Sequence, residues 1–324
     1  ALSICAIAGF SLLDKGMIMA GFFMILVANI GMEGGLVFYN SFLPEIVPKE
    51  YHGRVSAWGF GTGYAGSIIS LLIAIPFVKA GSFELVWFMV ALFFLVFSLP
   101  AFIFLPSDKR NNVSLIKAGT TGVRYTIATL KELWNRKEIR KFLLAYLIYE
   151  DGINTVIVFS SLFAAATLGF KPQELIVLYI TVQVTALIGA FIMAKPIDVL
   201  GPKMVVITSL IMWSIVVMAA FFVQTKTHFW GIATFAGLGL GTVQAATRAF
   251  YMQFIPQEKE SEYFGIYSLV GKSSAIIGPL VFGFLSSAFG SQRPAILSIA
   301  VFFILGTMIL SFVRGGGPNI TNAK

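Results

Sequence analysis

Four ionisable residues lie deep inside long apolar runs: Glu33, Glu150, Asp151 and Lys272. A charge at bilayer depth costs roughly 3 to more than 10 kcal/mol, so it persists mainly beside a partner or a wet cavity. A carboxylate whose pKa is moved by burial or by a nearby cation can relay protons. One cation and one anion together can hold a zwitterion. We therefore expect the four residues to approach one central cavity, where Lys272 would hold a substrate carboxylate and an acid would hold an ammonium group or a coupling proton.

Several uncharged polar side chains on the same runs are candidates for lining that cavity: Asn29, Asn154, Gln183, Gln244 and Tyr267. The alternative is a structural role, in which Lys272 forms a salt bridge with one of the acids and clamps packed helices together. The residue types of this set favour ligand or proton binding, and they leave the structural alternative open.

The apolar runs that carry these residues are long enough to cross a bilayer. Hydrophobic residues make up 57% of the chain and charged residues 12%, whereas soluble domains average about 25% charge. A span needs about 20 apolar residues, and backbone that faces lipid must be helical to satisfy its own hydrogen bonds. We therefore predict an all-α membrane protein. Ten runs are recognised, namely one at the start of the chain and others at about 17–40, 55–78, 85–105, 141–165, 174–195, 204–223, 229–250, 262–288 and 294–313.

The chain repeats itself at an offset of 208 residues. The stretch from Ala28 to Leu72 then falls on Ala236 to Leu280, with nine identities that include Pro48 with Pro256. Three apolar runs of the first part also fall on three of the last. A repeat in the same chain direction, with several spans per unit, is typical of a transporter built from two related halves around a central site.

The repeat predicts the domain organisation. The runs at 141–165 and 174–195 have counterparts that would lie upstream of Ala1, and the chain starts with Ala rather than Met. We therefore expect ten of twelve transmembrane helices, with the first two absent. The predicted divisions are 1–105, the remnant of the N-terminal half; 106–140, a cytoplasmic linker with an amphipathic helix; 141–314, a six-helix half; and 315–324, a cytoplasmic tail.

The net charge of +8 is explained by membrane orientation rather than by nucleic-acid binding. If the loops alternate between two sides with 106–140 in the cytoplasm, that side carries 17 of the 23 Lys and Arg residues. The other side carries five, and Lys272 remains inside a span. This asymmetry follows the positive-inside rule, and the basic side is expected to meet anionic lipid. Neither a metal site nor a cofactor is expected, because Cys5 is alone and the two histidines lie in loops on opposite sides.

A separate cluster of charges and turn formers runs from Asp198 to Lys203, between two apolar runs. Asp198, Gly201 and Lys203 match the cytoplasmic loop G-x-x-x-D-R-x-G-R-K of the major facilitator superfamily. The leading glycine is replaced here by Ala194, and the two arginines by Val199 and Pro202. The match predicts a gating loop of the major facilitator type, in a degraded copy.

Several motifs together resemble the autophagy-related vacuolar effluxer family and its bacterial relatives. They are Glu33-Gly34-Gly35 running to Pro44-Glu45, Arg54-Val55-Ser56, Glu150-Asp151-Gly152, Phe264-Gly265-Ile266-Tyr267 running to Gly271-Lys272, and Ser291-Gln292-Arg293. The similarity covers essentially the whole chain. It implies a twelve-helix major facilitator fold and, for fungal members, export of amino acids from the vacuole. A bacterial member would lie in the cytoplasmic membrane and a fungal one in the vacuolar membrane.

Two classes of function remain. The first is a secondary active or facilitative transporter of a small solute, such as an amino acid, working by alternating access with protons as a candidate coupling ion. The second is a non-transporting receptor, scaffold or lipid-handling protein on the same fold, in which the buried charges pair with one another. An enzyme is not expected, because the sequence has no nucleophile–base pair, metal cluster or nucleotide-binding loop. The expected partners are a small-molecule substrate and membrane lipid, with no nucleic acid.

Overall fold

The computed structural model describes residues 1–14, 16–106 and 115–315. Parts of the predicted linker and tail, 107–114 and 316–324, lie outside the described residues, as does Lys15. Every regular element of the described chain is helical. In order these are α1 (Leu2–Gly9), α2 (Ile18–Ser41), α3 (Leu43–Ile46), α4 (His52–Lys79), α5 (Phe83–Phe104), α6 (Leu115–Asn135), α7 (Lys137–Leu168), α8 (Pro172–Leu200), α9 (Pro202–Phe222), α10 (Lys226–Met252), α11 (Glu260–Ser273), α12 (Ile277–Ala288) and α13 (Gln292–Ser311). Short 3-10 turns cover Phe10–Leu12 and Lys49–Tyr51.

Nine segments of the described chain are long and apolar enough to cross a membrane. They correspond to the nine predicted runs from 17–40 onward, so the all-α membrane fold is confirmed. The first predicted run corresponds to α1 and the turn after it, a shorter apolar helix from Leu2 to Leu12.

The run predicted at 262–288 is not one continuous helix. It is divided into α11 and α12 by a non-helical turn between Ser273 and Ile277. The run is apolar on average, so hydropathy alone gave no indication of the interruption, although Ser273, Ser274 and Gly278-Pro279 lie at the turn. The break falls directly after Lys272, which makes it part of the candidate site.

The chain forms two compact units. One comprises Ala1–Phe42 and Gly66–Arg124, and in it α1 packs on α2 and α5, with Phe10 stacked on Trp87. The other comprises Leu43–Ala65 and the chain from Tyr125 onward, and it contains the six membrane segments from α7 to α13. In that unit α10 packs on α8 and α9, and α13 packs on α7 and α9. The predicted boundaries at 105, 140 and 314 stay a prediction.

The crossing of α8 and α10 depends on glycine. A Cβ added at Gly241 would overlap the carbonyl oxygen of Ala186, and one at Gly189 would overlap that of Leu238. The two backbones therefore touch with no side chain between them. Lipid offers no hydrophobic drive for helix association, so close backbone packing is one of the main sources of stability available to such a bundle.

The linker helix α6 is held against the start of α11 by a polar cluster. The Lys259 ammonium donates to Glu132 at 2.8 Å, and Arg136 donates to the same carboxylate at 2.7 Å. The hydrogen bond from Lys259 is the main reason that the pKa of Glu132 lies below its usual value. The stabilisation from this contact is therefore present above the ordinary pKa of a glutamate and is lost as the pH falls through the lowered one.

The amphipathic linker helix is predicted from the spacing of Ile116, Val123, Ile127, Leu130 and Trp134, and these residues lie mainly on its exposed side where they are described. Val123, Ile127 and Trp134 are all exposed, whereas Leu133 is fully buried against the bundle. The Ile116 side chain lies outside the described residues. A basic helix with an exposed apolar stripe is suited to the plane of the membrane interface.

Replacing Gly241 with Ala is expected to lower the melting temperature of the purified protein, because the new methyl group overlaps the Ala186 carbonyl. Overpacking of this kind costs about 1–3 kcal/mol. Gly231→Ala in the same helix is the matched control, since no atom lies near a Cβ added there. Equal melting temperatures for the two variants in a thermal-shift assay would show that the backbones do not approach as described.

Candidate functional site

The interruption between α11 and α12 is closed by a carboxylate from another helix. Asp151, on α7, accepts the backbone N–H of Gly278 with both oxygens at 2.9 Å, and it is only 2% exposed. The first N–H groups of a helix have no partner within it, and in a membrane no water is guaranteed to replace one. Asp151 therefore caps α12, and the negative charge also complements the positive end of the helix dipole.

Neighbouring residues of α7 hold the same turn. The Asn154 amide donates to the Ser274 hydroxyl at 3.1 Å, and that hydroxyl donates to the Gly271 carbonyl at 2.6 Å. At Gly278 a Cβ would overlap the Thr155 hydroxyl, so only glycine allows α12 to approach α7 this closely. The predicted cavity-lining residue Asn154 thus contacts the broken helix directly.

Glu150 has a different environment from Asp151, although the two are adjacent in sequence. It lies near the middle of the 32-residue α7 and is half-buried. Within the described residues its carboxylate accepts no hydrogen bond, and Lys272 lies within electrostatic range of it. A carboxylate in this setting keeps its lone pairs available for a ligand or a proton.

Tyrosine rings surround Glu150 and connect it to Lys272. The hydroxyls of Tyr146, Tyr149 and Tyr267 are within electrostatic range of the Glu150 carboxylate. Tyr267 stacks on Tyr146 with ring centroids 4.5 Å apart, and Lys272 follows it by five residues on α11. The structure therefore groups Glu150, Lys272 and Tyr267, three of the residues that the sequence singles out.

Gln244, the predicted lining residue on α10, joins the same group through α4. The Tyr64 hydroxyl donates to the Gln244 side-chain oxygen at 2.6 Å, and Tyr64 is also within electrostatic range of Glu150. Tyr64 is not among the site residues predicted from the sequence. Ser56, Phe60 and Tyr64 are spaced four apart on α4 and all contact α10. This spacing on one helix face was the sequence signal that could have indicated Tyr64.

Arg248 is one of the 17 Lys and Arg residues that the charge count assigned to the cytoplasmic side, and its side chain is buried. Arg248 lies within α10 and is 5% exposed. Its guanidinium donates to the hydroxyl and the carbonyl of Ser56 at 2.9 and 2.7 Å, and it lies over the Phe60 ring at 4.3 Å. The charge count did not predict that this side chain is buried against α4.

The predicted gating loop makes two separate contacts. Asp198 accepts the backbone N–H of Arg54 at 3.1 Å and lies 3.5 Å from its side chain, so it binds the first turn of α4. Gly201 has a φ of +85°, which permits the tight turn between α8 and α9. Lys203 instead donates to the Ser311 carbonyl at 2.8 Å, at the end of α13.

An apolar cavity of about 430 Å³ lies within the unit formed by the later helices. It is bounded by α7, α8, α9, α10, α12 and α13, and its lining includes Phe159, Tyr179 and Gln183. None of its lining residues is charged. The predicted lining residue Gln183 thus lies in this cavity, which begins at Val156, about 9 Å along α7 from Glu150 at 1.5 Å per residue.

The remaining two predicted site residues, Glu33 and Asn29, lie on α2 in the other compact unit. The Asn29 amide donates to the Ile25 carbonyl of its own helix at 2.9 Å. The grouping of Glu33 and Asn29 with the other site residues stays a prediction.

Comparison with known sequences identifies the family. Residues 47–315 match the family described as Vacuole effluxer Atg22 like. The uncharacterized MFS-type transporter YxiO of Bacillus subtilis is 28% identical over 89% of this chain and 69% of its own length. Autophagy-related protein 22-1 of Aspergillus fumigatus is 27% identical over 81% of this chain. The chain spans about half of that fungal relative, 48% of its length.

Comparison with solved structures identifies the fold. The human organic anion transporter MFSD10 superposes with a TM-score of 0.77 over 95% of this chain and 75% of its own, at 14% identity. The Escherichia coli fucose:proton symporter FucP gives a TM-score of 0.70 over 97% of this chain and 81% of its own, also at 14% identity. The chain is therefore a multi-pass membrane protein with the major facilitator fold, and it belongs to the Atg22-like vacuole effluxer family.

Proposed function

We propose that this protein transports a small zwitterion, such as an amino acid, by alternating access around Glu150 and Lys272. The observation that carries the proposal is the state of Glu150. It is a half-buried carboxylate at mid-span with no hydrogen-bond donor among the described residues and with a lysine in electrostatic range. An intramembrane charge arranged in this way marks a substrate or ion pathway by default.

The charge pattern suits a zwitterion. Lys272 would hold the carboxylate and Glu150 the ammonium group, so that the substrate replaces their mutual attraction with two closer ion pairs. Lys272 lies in the last turn of α11, directly before the break in the helix. Interrupted helices commonly build transporter sites because they bring backbone polar groups to a substrate.

The apolar cavity would receive the side chain of the substrate. Its lining is largely aliphatic and aromatic, with a few uncharged polar groups. Ligand pockets of a few hundred Å³ with such linings are typical of small-molecule sites. An amino acid with an aliphatic or aromatic side chain fits this arrangement better than a charged one, because no described cavity residue would neutralise a second charge.

Alternating access requires contacts that can form on one side of the site and break again. The bonds of α4 with Asp198 and with Arg248 have this character, since each consists of a few directed polar contacts. We infer that these contacts close one end of the pathway and open during the transport cycle. Without a nucleotide-binding loop in the sequence, an ion or substrate gradient would drive the cycle, and Glu150 would carry the proton if protons are coupled.

Replacing Lys272 with Met is expected to abolish uptake of amino acids into proteoliposomes, because the substrate carboxylate loses its cation. Lys195→Met, an exposed lysine on α8, is the matched control and should transport like the parent. If the parent itself transports no amino acid with or without a pH gradient, the alternative of a non-transporting protein is favoured. If Lys272→Met transports normally, the charge is structural.

The adjacent acids are expected to respond differently to neutralisation. Glu150→Gln should keep the melting temperature but remove the pH dependence of transport, because no titrating group remains at that position. Asp151→Asn should lower stability by about 1 kcal/mol, the typical value of a helix cap, since the amide offers only one acceptor oxygen to α12. The two measurements are a thermal-shift assay and initial uptake rates from pH 5 to 8. A pH profile altered only in Asp151→Asn would show that Asp151, and not Glu150, carries the coupled proton.

Replacing Asp198 with Asn is expected to open the end of the pathway that it closes. Loss of the charged acceptor should weaken the contact with Arg54 by about 1 kcal/mol and shift the population roughly fivefold. The measurement is the rate of maleimide labelling of Ala57→Cys, a buried α4 position, in a Cys5→Ser background that contains no other cysteine. Glu50→Gln, an exposed acid just before α4, is the control, and an equal rate in both variants contradicts the gating role.

A further inference from the structure

A basic pocket lies at the ends of three membrane-crossing helices, away from the candidate transport site. Its volume is about 790 Å³, and it is formed by the start of α7, the start of α9 and the residues after α13. Four of its nine lining residues are cations, namely Lys137, Lys141, Lys203 and Arg314, and one is an acid, Glu138. The pocket therefore carries a local excess of positive charge.

Two of the four cations have structural partners. Lys203 donates to the Ser311 and Val313 carbonyls, and Lys141 donates to the Phe312 carbonyl at 3.2 Å. These bonds satisfy the last carbonyl of α13 and the two that follow it, and they offset the negative end of the helix dipole.

The acid of the pocket is also engaged. Glu138 accepts from Lys141 at 2.9 Å with one oxygen and from the Arg314 backbone N–H with the other. Its carboxylate is thus bound to the pocket wall. The side chains of Lys137 and Arg314 are exposed, and within the described residues neither makes a hydrogen bond or an ion pair of its own.

We propose that this pocket binds the phosphate of an anionic phospholipid headgroup, with Lys137 and Arg314 as its direct ligands. The guanidinium of Arg314 can bind two phosphate oxygens at once, and Lys137 supplies a point charge beside it. The first turns of α7 and α9 open into the same pocket and add partial positive charge from their N–H groups.

A lipid is favoured over a free anion by the position of the pocket. It lies where three spans end, which is the depth of the headgroup layer, and basic pockets between helix ends on the cytoplasmic side are suited to anionic lipid. The positive-inside pattern of the sequence places these helix ends on that side, where anionic lipids face the protein. This proposal does not depend on the transport chemistry.

The test is a titration of the purified protein with phosphatidylglycerol, with phosphatidylcholine as the neutral comparison, followed by native mass spectrometry. The double variant Lys137→Gln with Arg314→Gln should bind phosphatidylglycerol more weakly by on the order of tenfold, since each charge contributes at this surface. The control variant Lys131→Gln with Lys195→Gln loses the same charge on the same predicted side but outside the pocket, and it should bind like the parent. Size-exclusion profiles and melting temperatures confirm that all variants are folded.

Each other outcome overturns the proposal. Equal binding of phosphatidylcholine would show that the acyl chains and not the phosphate charge are recognised. An equal loss in the control would assign the effect to total charge. Displacement of the lipid by millimolar inorganic phosphate would make the pocket a site for free anions. If the double variant is unstable, Lys137→Gln alone replaces it, and unchanged lipid binding by that variant also contradicts the proposal.

Discussion

A break in a membrane-spanning helix leaves backbone hydrogen-bonding groups without partners, and the candidate site depends on how this chain satisfies them. Between α11 and α12 the Asp151 carboxylate accepts the free Gly278 N–H in the first turn of α12, while Asn154 and Ser274 hold the other side of the turn. In hydrocarbon each such group would otherwise cost several kcal/mol. The cap therefore makes the interruption possible, and the interruption places the end of α11, with Lys272, beside the middle of α7.

The same arrangement explains how two adjacent acids can have different roles. Successive residues on a helix point about 100° apart, so Asp151 faces α12 and is saturated by its backbone, while Glu150 faces a group of tyrosines and Lys272. A fully bonded carboxylate stabilises structure, and a carboxylate without donors remains available to a ligand. Both residues carry a carboxylate, and only the groups around each one give them different roles.

Packing within the later helices and the polar contacts of α4 differ in kind. The α8–α10 crossing is a continuous backbone-to-backbone contact through glycines, and such an interface resists rearrangement. The contacts of α4 with Asp198 and Arg248 are a small number of directed bonds, each with a modest net free energy. The proposed alternating access would need both kinds of contact, a rigid bundle and bonds to α4 that can separate.

The sequence by itself determined the membrane fold, because runs of about 20 apolar residues in lipid must be helical to satisfy their backbone hydrogen bonds. It also selected Glu150 and Lys272 as candidates, because an isolated charge within such a run is costly unless it faces a partner or a cavity. It did not place the break after Ser273, because the hydropathy averaged over the run stays high even though Ser273, Ser274 and Gly278-Pro279 lie at the turn. It also did not predict the buried contacts of Arg248 and Tyr64, which join residues 180 or more apart in the chain. Hydropathy reports the free energy of transferring each segment into lipid. Helix capping and side-chain pairing depend instead on which helices lie side by side, and only the tertiary structure decided that.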